Sequence, residues 1–151
     1  RGLPWSAGLF DGVVAHHVLQ MVAWPDLVPW LSEVRRVMKA GAVLRLSVPD
    51  LLGAVDAYER MAIGWFPIAD EHEPTIDGKL CMYLSQAGAT RSVFTANWLE
   101  ELLTRAGFDG GRARANRWGD EWPPWGTNGE RWLMDLDSRQ GESLYAEATA
   151  P

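Results

Sequence analysis

The chain has 151 residues, of which 47% are hydrophobic and 23% charged, a composition typical of one folded globular domain. Its 14 Lys and Arg residues against 20 Asp and Glu residues give a net charge of −6, which argues against nucleic-acid binding. With Cys81 as the one cysteine, no intrachain disulfide forms, and we expect that thiol to be buried. There is no secretory signal and no apolar run near the ~18 residues that cross a bilayer, so we expect a soluble, cytoplasmic protein without membrane contact.

The first 61 residues predict strand, helix, strand and helix in that order. Residues 9–15 are a nearly continuous apolar run that indicates a strand buried on both faces. Asp26 is a suitable N-cap for a helix that would end at Gly41. In a second strand, residues 42–48, Arg45 and Ser47 alternate with apolar residues, which predicts one less covered face. The following helix, residues 51–61, would turn its apolar side chains inward: Leu51, Leu52, Val55, Tyr58 and Met61.

The second half of the chain is less regular. Residues 62–93 form an irregular excursion, broken by Gly and Pro, with one short helix near residues 79–86. Thr95 then caps an amphipathic helix that ends at Gly107. A strand at 111–117, a Trp-rich loop at 118–132 and a last strand at 144–148 complete the chain. The expected fold class is α/β, with residues 1–151 as a single domain containing parallel strands joined by a crossover helix.

Several pieces of this sequence resemble class I S-adenosylmethionine-dependent methyltransferases. Leu-Pro-Trp at 3–5, Leu-Phe-Asp-Gly-Val-Val at 9–14 and His-Val-Leu at 17–19 are similar to that family's L-P-F, F-D-x-V and H-V-L-E-H stretch. Residues 33–42 resemble the E-x-x-R-V-L-K-P-G-G joint before the fifth strand. Residues 44–51, 94–108 and 143–148 are similar to a small type 11-like subgroup. The resemblance implies a partial Rossmann-like sheet, with two parallel strands followed by C-terminal strands that include an antiparallel one.

The resemblance also implies that this stretch of chain lacks most of the family's cofactor-binding site. The family binds S-adenosylmethionine mainly at a Gly-rich turn in the first half of its sheet, and no such turn occurs here. We therefore expect the cofactor-binding half upstream of Arg1 or on another chain, with cofactor bound only when that half is supplied. Without it, the strand from Leu9 to Ala15 would be an unpaired sheet edge. We expect that edge to pair with a partner chain, either a second copy in a homodimer or the missing half.

Five candidate site residues lie near the strand ends. The resemblance implies that His16 and His17 face methyl donor and acceptor, where a histidine orients substrate or acts as a general base. The alternative is that one ring bonds a nearby carbonyl while the other is solvated. The resemblance places Leu3 and Pro4, together with His16, at the cofactor. Asp50 would bind substrate at the mouth of the site, although capping the next helix is a sufficient structural role for it.

Two further segments carry candidate groups. Trp122 and Trp125 in the Trp-rich loop would form a lid over the methyl acceptor or a contact surface for a partner. Alternatively, these indoles fold back and seal the end of the sheet. Residues 70–73, Asp-Glu-His-Glu, look like metal ligands, but adjacent side chains do not converge, so we expect a solvated acidic loop and no metal.

Two functional hypotheses follow. The leading one is transfer of a methyl group to an unknown acceptor, with the cofactor-binding half upstream or on another chain. The alternative is a non-catalytic remnant of the methyltransferase fold that acts as an assembly or interaction module through its exposed strand edge. A dehydrogenase half that binds a nicotinamide cofactor is weaker, because the joint at 33–42 and the closing residues resemble the methyltransferase subgroup.

Overall fold

The computed structural model describes residues 2–115 and 140–151. Its helices and strands, in chain order, are β1 (Phe10–His16), α1 (Leu27–Val37), β2 (Met38–Pro49), α2 (Leu51–Glu59), α3 (Ile76–Ser85), α4 (Ala96–Arg105), β3 (Asp109–Ala115) and β4 (Ser143–Thr149). Within these ranges, no helix is long and apolar enough to cross a bilayer. The Trp-rich loop expected at 118–132, with Trp122 and Trp125, lies outside the described residues.

The four strands form one mixed sheet in the order β1-β2-β4-β3. β1 and β2 are parallel, with His16 opposite Ser47, and β4 runs antiparallel to both β2 and β3. This arrangement confirms the expected α/β fold, with two leading parallel strands and an antiparallel C-terminal part. β1 is therefore an edge strand of the described sheet.

The larger core lies between one face of the sheet and helices α1 and α4. Alternate residues of a strand point to the same face, so β2 and β4 each contribute every second side chain to this core. Its buried members include Leu27, Leu31 and Val34 of α1, Leu44, Leu46 and Val48 of β2, Leu99, Leu102 and Leu103 of α4, and Leu144, Ala146 and Ala148 of β4.

A second, smaller core joins α2 to α3 and contains no strand residue. Its buried members are Ala54, Ala57, Phe66, Ile76 and Tyr83. Of the predicted inward face of α2, Tyr58 packs against this core, but Leu52, Val55 and Met61 are 59%, 38% and 69% exposed. The helix instead packs through its two alanines, whose small side chains allow close approach to the neighbouring segment.

The boundary between α1 and β2 also differs from the prediction. The helix ends at Val37 rather than Gly41, because the Leu9 N–H bonds the Val37 carbonyl at 2.8 Å and the chain then continues beside β1. Gly41 adopts a left-handed φ of +77° inside β2 and donates its N–H to the Ala150 carbonyl at 2.8 Å. Long-range strand pairing thus overrides the local helix signal.

Three side-chain expectations are also wrong. Asp26 precedes α1, but its carboxylate makes no capping hydrogen bond. Arg45 and Ser47 are 6% and 1% exposed, so the polar face of β2 is covered. Cys81 is exposed, because α3 buries the side that carries Tyr83 instead.

Helix α4 follows the prediction closely. The Trp98 N–H donates to Thr95 Oγ1 at 3.3 Å, which confirms the N-cap. Gly107 adopts a φ of +85°, and the Phe108 N–H bonds the Leu103 carbonyl at 3.1 Å. Phe108 is buried against the helix, which is the hydrophobic contact that this type of C-terminal cap provides.

Candidate functional site

Polar side chains meet where β1 and β2 end and β4 begins. His16 Nδ1 is hydrogen-bonded to Ser47 Oγ, its register partner on β2. The His17 N–H donates to the Ser47 carbonyl at 2.9 Å, and His17 Nε2 lies 3.0 Å from Ser143 Oγ. The two histidine rings are nearly parallel, with centroids 6.1 Å apart. Both predicted histidines therefore belong to one cluster, together with two serines that the sequence did not reveal as site residues.

A glutamine that sequence reasoning missed extends this cluster. Gln20 Nε2 donates to Gln86 Oε1 at 3.3 Å and lies 3.5 Å from His17 Nδ1. His17 therefore contacts polar side chains through both ring nitrogens, Gln20 through Nδ1 and Ser143 through Nε2. The available signal was a single polar residue, Gln20, inside the apolar run at 18–22.

Backbone strain is concentrated beside the same cluster. His17 and Gln86 adopt left-handed φ values of 47° and 44°, and Ala87 and Gly88 follow with 55° and 84°. Left-handed backbone costs a residue other than glycine roughly 1–2 kcal/mol, so surrounding contacts must hold it in place. Such strain is typical of residues that position a functional site.

Asp50 stands at the carboxyl end of β2 and caps α2. Its Oδ1 accepts the Leu52 N–H at 3.1 Å, and the side chain is 3% exposed. Burial raises the pKa of Asp50, and hydrogen bonds from the Gly53 and Leu52 N–H groups partly oppose that rise. A Cβ on Gly53 would lie 2.7 Å from Asp50 Oδ2, so glycine leaves room for the carboxylate. The capping role is therefore confirmed, and a role in substrate binding remains a prediction.

Tyr83 links α3 to both strand ends. Its hydroxyl accepts the Asp50 N–H at 2.8 Å and donates to the Glu142 carbonyl at 2.5 Å. The rings of Trp65 and Phe66 pack edge-on against Tyr83, with centroids 5.2 and 5.9 Å away. Sequence reasoning did not select Tyr83, because its partners are set by tertiary packing.

The predicted cofactor residues Leu3 and Pro4 lie along α1. The Leu3 N–H donates to Glu33 Oε2 at 3.0 Å, and Arg36 Nη2 donates to the Leu3 carbonyl at 3.1 Å. Hydrogen bonds from Arg36 and then from Leu3 lower the pKa of Glu33. Pro4 is exposed. An open pocket of about 490 Å³ in this region is lined by Gly2, Leu3, Asp26, Pro29, Trp30 and Glu33. The described contacts of Leu3 are thus to α1, whereas His16 bonds to β2.

The acidic segment at 70–73 has structural partners. Asp70 Oδ1 lies 2.7 Å from Nζ of the buried Lys79, which also donates to the Ile68 carbonyl. Glu73 Oε1 accepts hydrogen bonds from the Thr75 hydroxyl at 2.6 Å and from the Thr75 N–H at 2.9 Å, and these two bonds lower the pKa of Glu73. Among residues 2–115 and 140–151, no three His, Cys, Asp or Glu side chains are grouped so as to hold a metal. The carboxylates instead fix the excursion to α3.

Comparison with known proteins relates the fold to methyltransferases. No protein-family model and no curated protein sequence matches the chain. A Haloferax volcanii protein described as a methyltransferase, in complex with the Trm112 methyltransferase activator, matches 99% of this chain with a TM-score of 0.57 and 15% identity. S-adenosylmethionine-dependent methyltransferases from Thermotoga maritima and Archaeoglobus fulgidus match 99% and 96% of it, with TM-scores of 0.54 and 0.53 and identities of 16% and 13%.

These matches define the fold and its extent. The chain spans 57%, 60% and 61% of the lengths of the Haloferax, Thermotoga and Archaeoglobus proteins. At these sequence identities the structural similarity establishes the fold, and any chemical function has to be argued from the residues of the site. The described sheet therefore has a methyltransferase-like, Rossmann-type fold.

Proposed function

We propose that this chain is the acceptor-side part of an S-adenosylmethionine-dependent methyltransferase. The observation that carries the proposal is the sheet order β1-β2-β4-β3 with a polar cluster at the carboxyl ends of the two parallel strands. In open α/β sheets, ligands bind at those strand ends. The likeness in fold to several such methyltransferases supports the same placement.

The residues present fit part of a cofactor site. His16 and His17, held by Ser47 and Ser143, provide polar groups at the end of β1. Leu3 lines the pocket beside α1, and we retain Leu3 and the exposed Pro4 as proposed cofactor contacts. The sequence has no Gly-rich turn of the kind with which the methyltransferase family binds its cofactor, so we place the main cofactor-binding half upstream or on another chain.

The chain's own chemistry is positioning and proton handling. The cofactor, when bound, supplies a methyl group on a positively charged sulfur. An amine or hydroxyl that accepts the methyl group loses its proton, and a histidine side chain can act as the general base that takes it. Ser47 fixes the ring of His16 through Nδ1, and the enclosed strand ends exclude water and orient the reactants. Asp50, Trp122 and Trp125 are proposed to contact the acceptor.

Calorimetric titration with S-adenosylhomocysteine tests this proposal on the full-length protein, combined with the partner chain where the cofactor-binding half is a separate chain. We expect saturable binding that His16→Ala weakens, because this substitution removes a ring at the end of β1. Met21→Leu, which changes an exposed neighbouring side chain, should leave the affinity unchanged. Absence of binding heat from the folded protein would contradict the enzyme proposal.

A second candidate function rests on the edge strand. In the described sheet β1 pairs only with β2, and Trp5 and Leu9 beside it are both 47% exposed. An apolar edge of this kind invites pairing with another chain. The candidate is a non-catalytic assembly module that binds a second copy or a partner. The Haloferax protein, similar in fold, is in a complex with another chain, the Trm112 methyltransferase activator. A clean monomer in native mass spectrometry would argue against it.

A further inference from the structure

The side-chain amide of Gln20 is held rigidly inside the site. Gln20 is 1% exposed, and its carbonyl accepts the N–H groups of Arg91 at 2.8 Å and Ser92 at 3.1 Å. Its Nε2 donates to Gln86 Oε1 and faces His17 Nδ1. Backbone and amide nitrogen are therefore both anchored, which fixes the direction of the remaining oxygen.

That oxygen has no hydrogen-bond partner. Gln20 Oε1 is buried, and no donor reaches it from the described residues. In the described orientation, Gln20 Nε2 faces Gln86 Oε1 and His17 Nδ1, and Oε1 points away from both. A second buried oxygen without a partner, Thr90 Oγ1, lies on the segment that binds the Gln20 backbone. Buried acceptors that lack donors call for a ligand or an ordered water.

A route to this oxygen passes Gln86. Gln86 is half-buried and lies between Gln20 and the exposed residues Ala87 and Gly88. All three residues of this turn have left-handed backbone, at 44°, 55° and 84°. Among the described hydrogen bonds, the one from the Gln20 amide to Gln86 Oε1 joins this turn to the polar cluster, and we expect a ligand to reach Gln20 Oε1 by displacing Gln86.

We propose that Gln20 is a specificity-determining residue whose Oε1 accepts a hydrogen bond from the N–H or O–H group of the methyl acceptor. This inference rests on the proposed methyltransferase function. It favours an acceptor that presents an N–H or O–H group, because such a group gives the buried Gln20 Oε1 the donor that it lacks. Sites that hydrogen-bond a substrate group discriminate strongly against analogues that lack it.

The test compares aniline with N,N-dimethylaniline, two probes that share a ring and differ in the N–H group. Titrations are followed through the side-chain amide resonances of Gln20 and Gln86 in two-dimensional ¹H–¹⁵N NMR. We expect aniline to shift the Gln20 resonance saturably and N,N-dimethylaniline to bind about tenfold more weakly. Gln20→Leu should weaken aniline binding about tenfold as well, Gln20→Glu should retain it, and the control Met21→Leu should not change it.

Equal binding of the two probes, or no shift of the Gln20 resonance with either, would overturn the inference. So would a water molecule that stays on Gln20 Oε1 in the presence of aniline, detected through its cross-relaxation with the amide protons. The comparison of probes on the unmodified protein stands even if Gln20→Leu does not fold. Because the readout needs no cofactor, failure here with intact S-adenosylhomocysteine binding would remove only the role of Gln20.

Discussion

Arg45 and Glu147 form a buried ion pair between directly opposed residues of β2 and β4. Burial lowers the pKa of Arg45 and raises that of Glu147, while their mutual attraction opposes both shifts. The pair also continues the polar face of the sheet on which His16 and Ser47 stand, since alternate strand residues share a face. The sheet is thus apolar towards α1 and α4 and polar on its other side.

The first prediction concerns this ion pair. Glu147→Leu leaves the Arg45 charge buried without its carboxylate, and we expect it to lower the free energy of unfolding by about 3 kcal/mol. The double variant Arg45→Met, Glu147→Leu should recover most of that loss, because no uncompensated charge remains. Urea denaturation of the four proteins of the cycle measures both effects. Additive losses in the double variant would contradict a coupled pair.

The second prediction is a pH dependence that arises at Asp50. Its raised pKa means that the folded protein binds this proton more tightly than the unfolded chain does. The stability that protonated Asp50 contributes is therefore present at low pH and is lost as the pH rises from 3.8, its ordinary value, through the higher folded pKa.

Asp50→Asn should remove this dependence while keeping the cap, because Asn is an equally good N-cap. The difference in unfolding free energy, wild type minus variant, should fall with rising pH across that window. Asp50→Ser, which also caps without charge, is the matched control and should behave in the same way. A difference that is flat or rises with pH would show that burial does not dominate at this carboxylate.

The third prediction concerns the turn after α4. Gly107→Ala places a Cβ on a residue with a φ of +85° and 3.1 Å from Cζ of Arg35. We expect a loss of roughly 1–2 kcal/mol in unfolding free energy from the left-handed backbone. Gly64→Ala, with no atom within 4 Å of the added Cβ, should change stability by less than about 0.5 kcal/mol. Thermal denaturation of both variants makes the comparison, and equal effects would exclude the backbone explanation.

The fourth prediction separates pairing along β1 from the integrity of β1 itself. Because the His17 N–H points to β2, alternation along the strand directs the Val13 N–H to β2 and the Val14 N–H to the outer edge. Val14→Pro should therefore keep the fold but reduce association with any chain that pairs there. Val13→Pro should instead destabilise the protein by about 1 kcal/mol or more, through loss of a ladder hydrogen bond.

Sedimentation equilibrium and circular dichroism distinguish the two proline variants. Undiminished self-association or partner binding by a folded Val14→Pro protein would show that the edge of β1 is not the contact.

The features that the sequence predicts correctly are those set by interactions between neighbouring residues. The apolar runs of β1 and β2, the Thr95 cap and the Gly107 turn each depend on neighbours within a few residues, and the structure confirms them. The early start of β2 depends on Gly41 pairing with Ala150, which no local pattern contains.

The candidate site shows the same difference between local patterns and long-range contacts. His16 and His17 were identifiable because they end an apolar strand. The contact of His17 with Ser143 spans 126 residues of sequence and exists only once β4 inserts beside β2. The buried face of α2 was misjudged for a related reason, since its alanines meet α3 and not the sheet.

The separation of the two cores has a consequence for how the molecule opens. Because the core around Ala54 and Tyr83 includes no strand side chain, we expect α2 and α3 to open together while the larger core persists, once the hydrogen bonds of the Tyr83 hydroxyl break. Amide protons of α3 should then exchange with solvent deuterium sooner than those of β2. The strands that carry the polar cluster would then be the more stable part of the protein, and α2 and α3 the part that opens transiently.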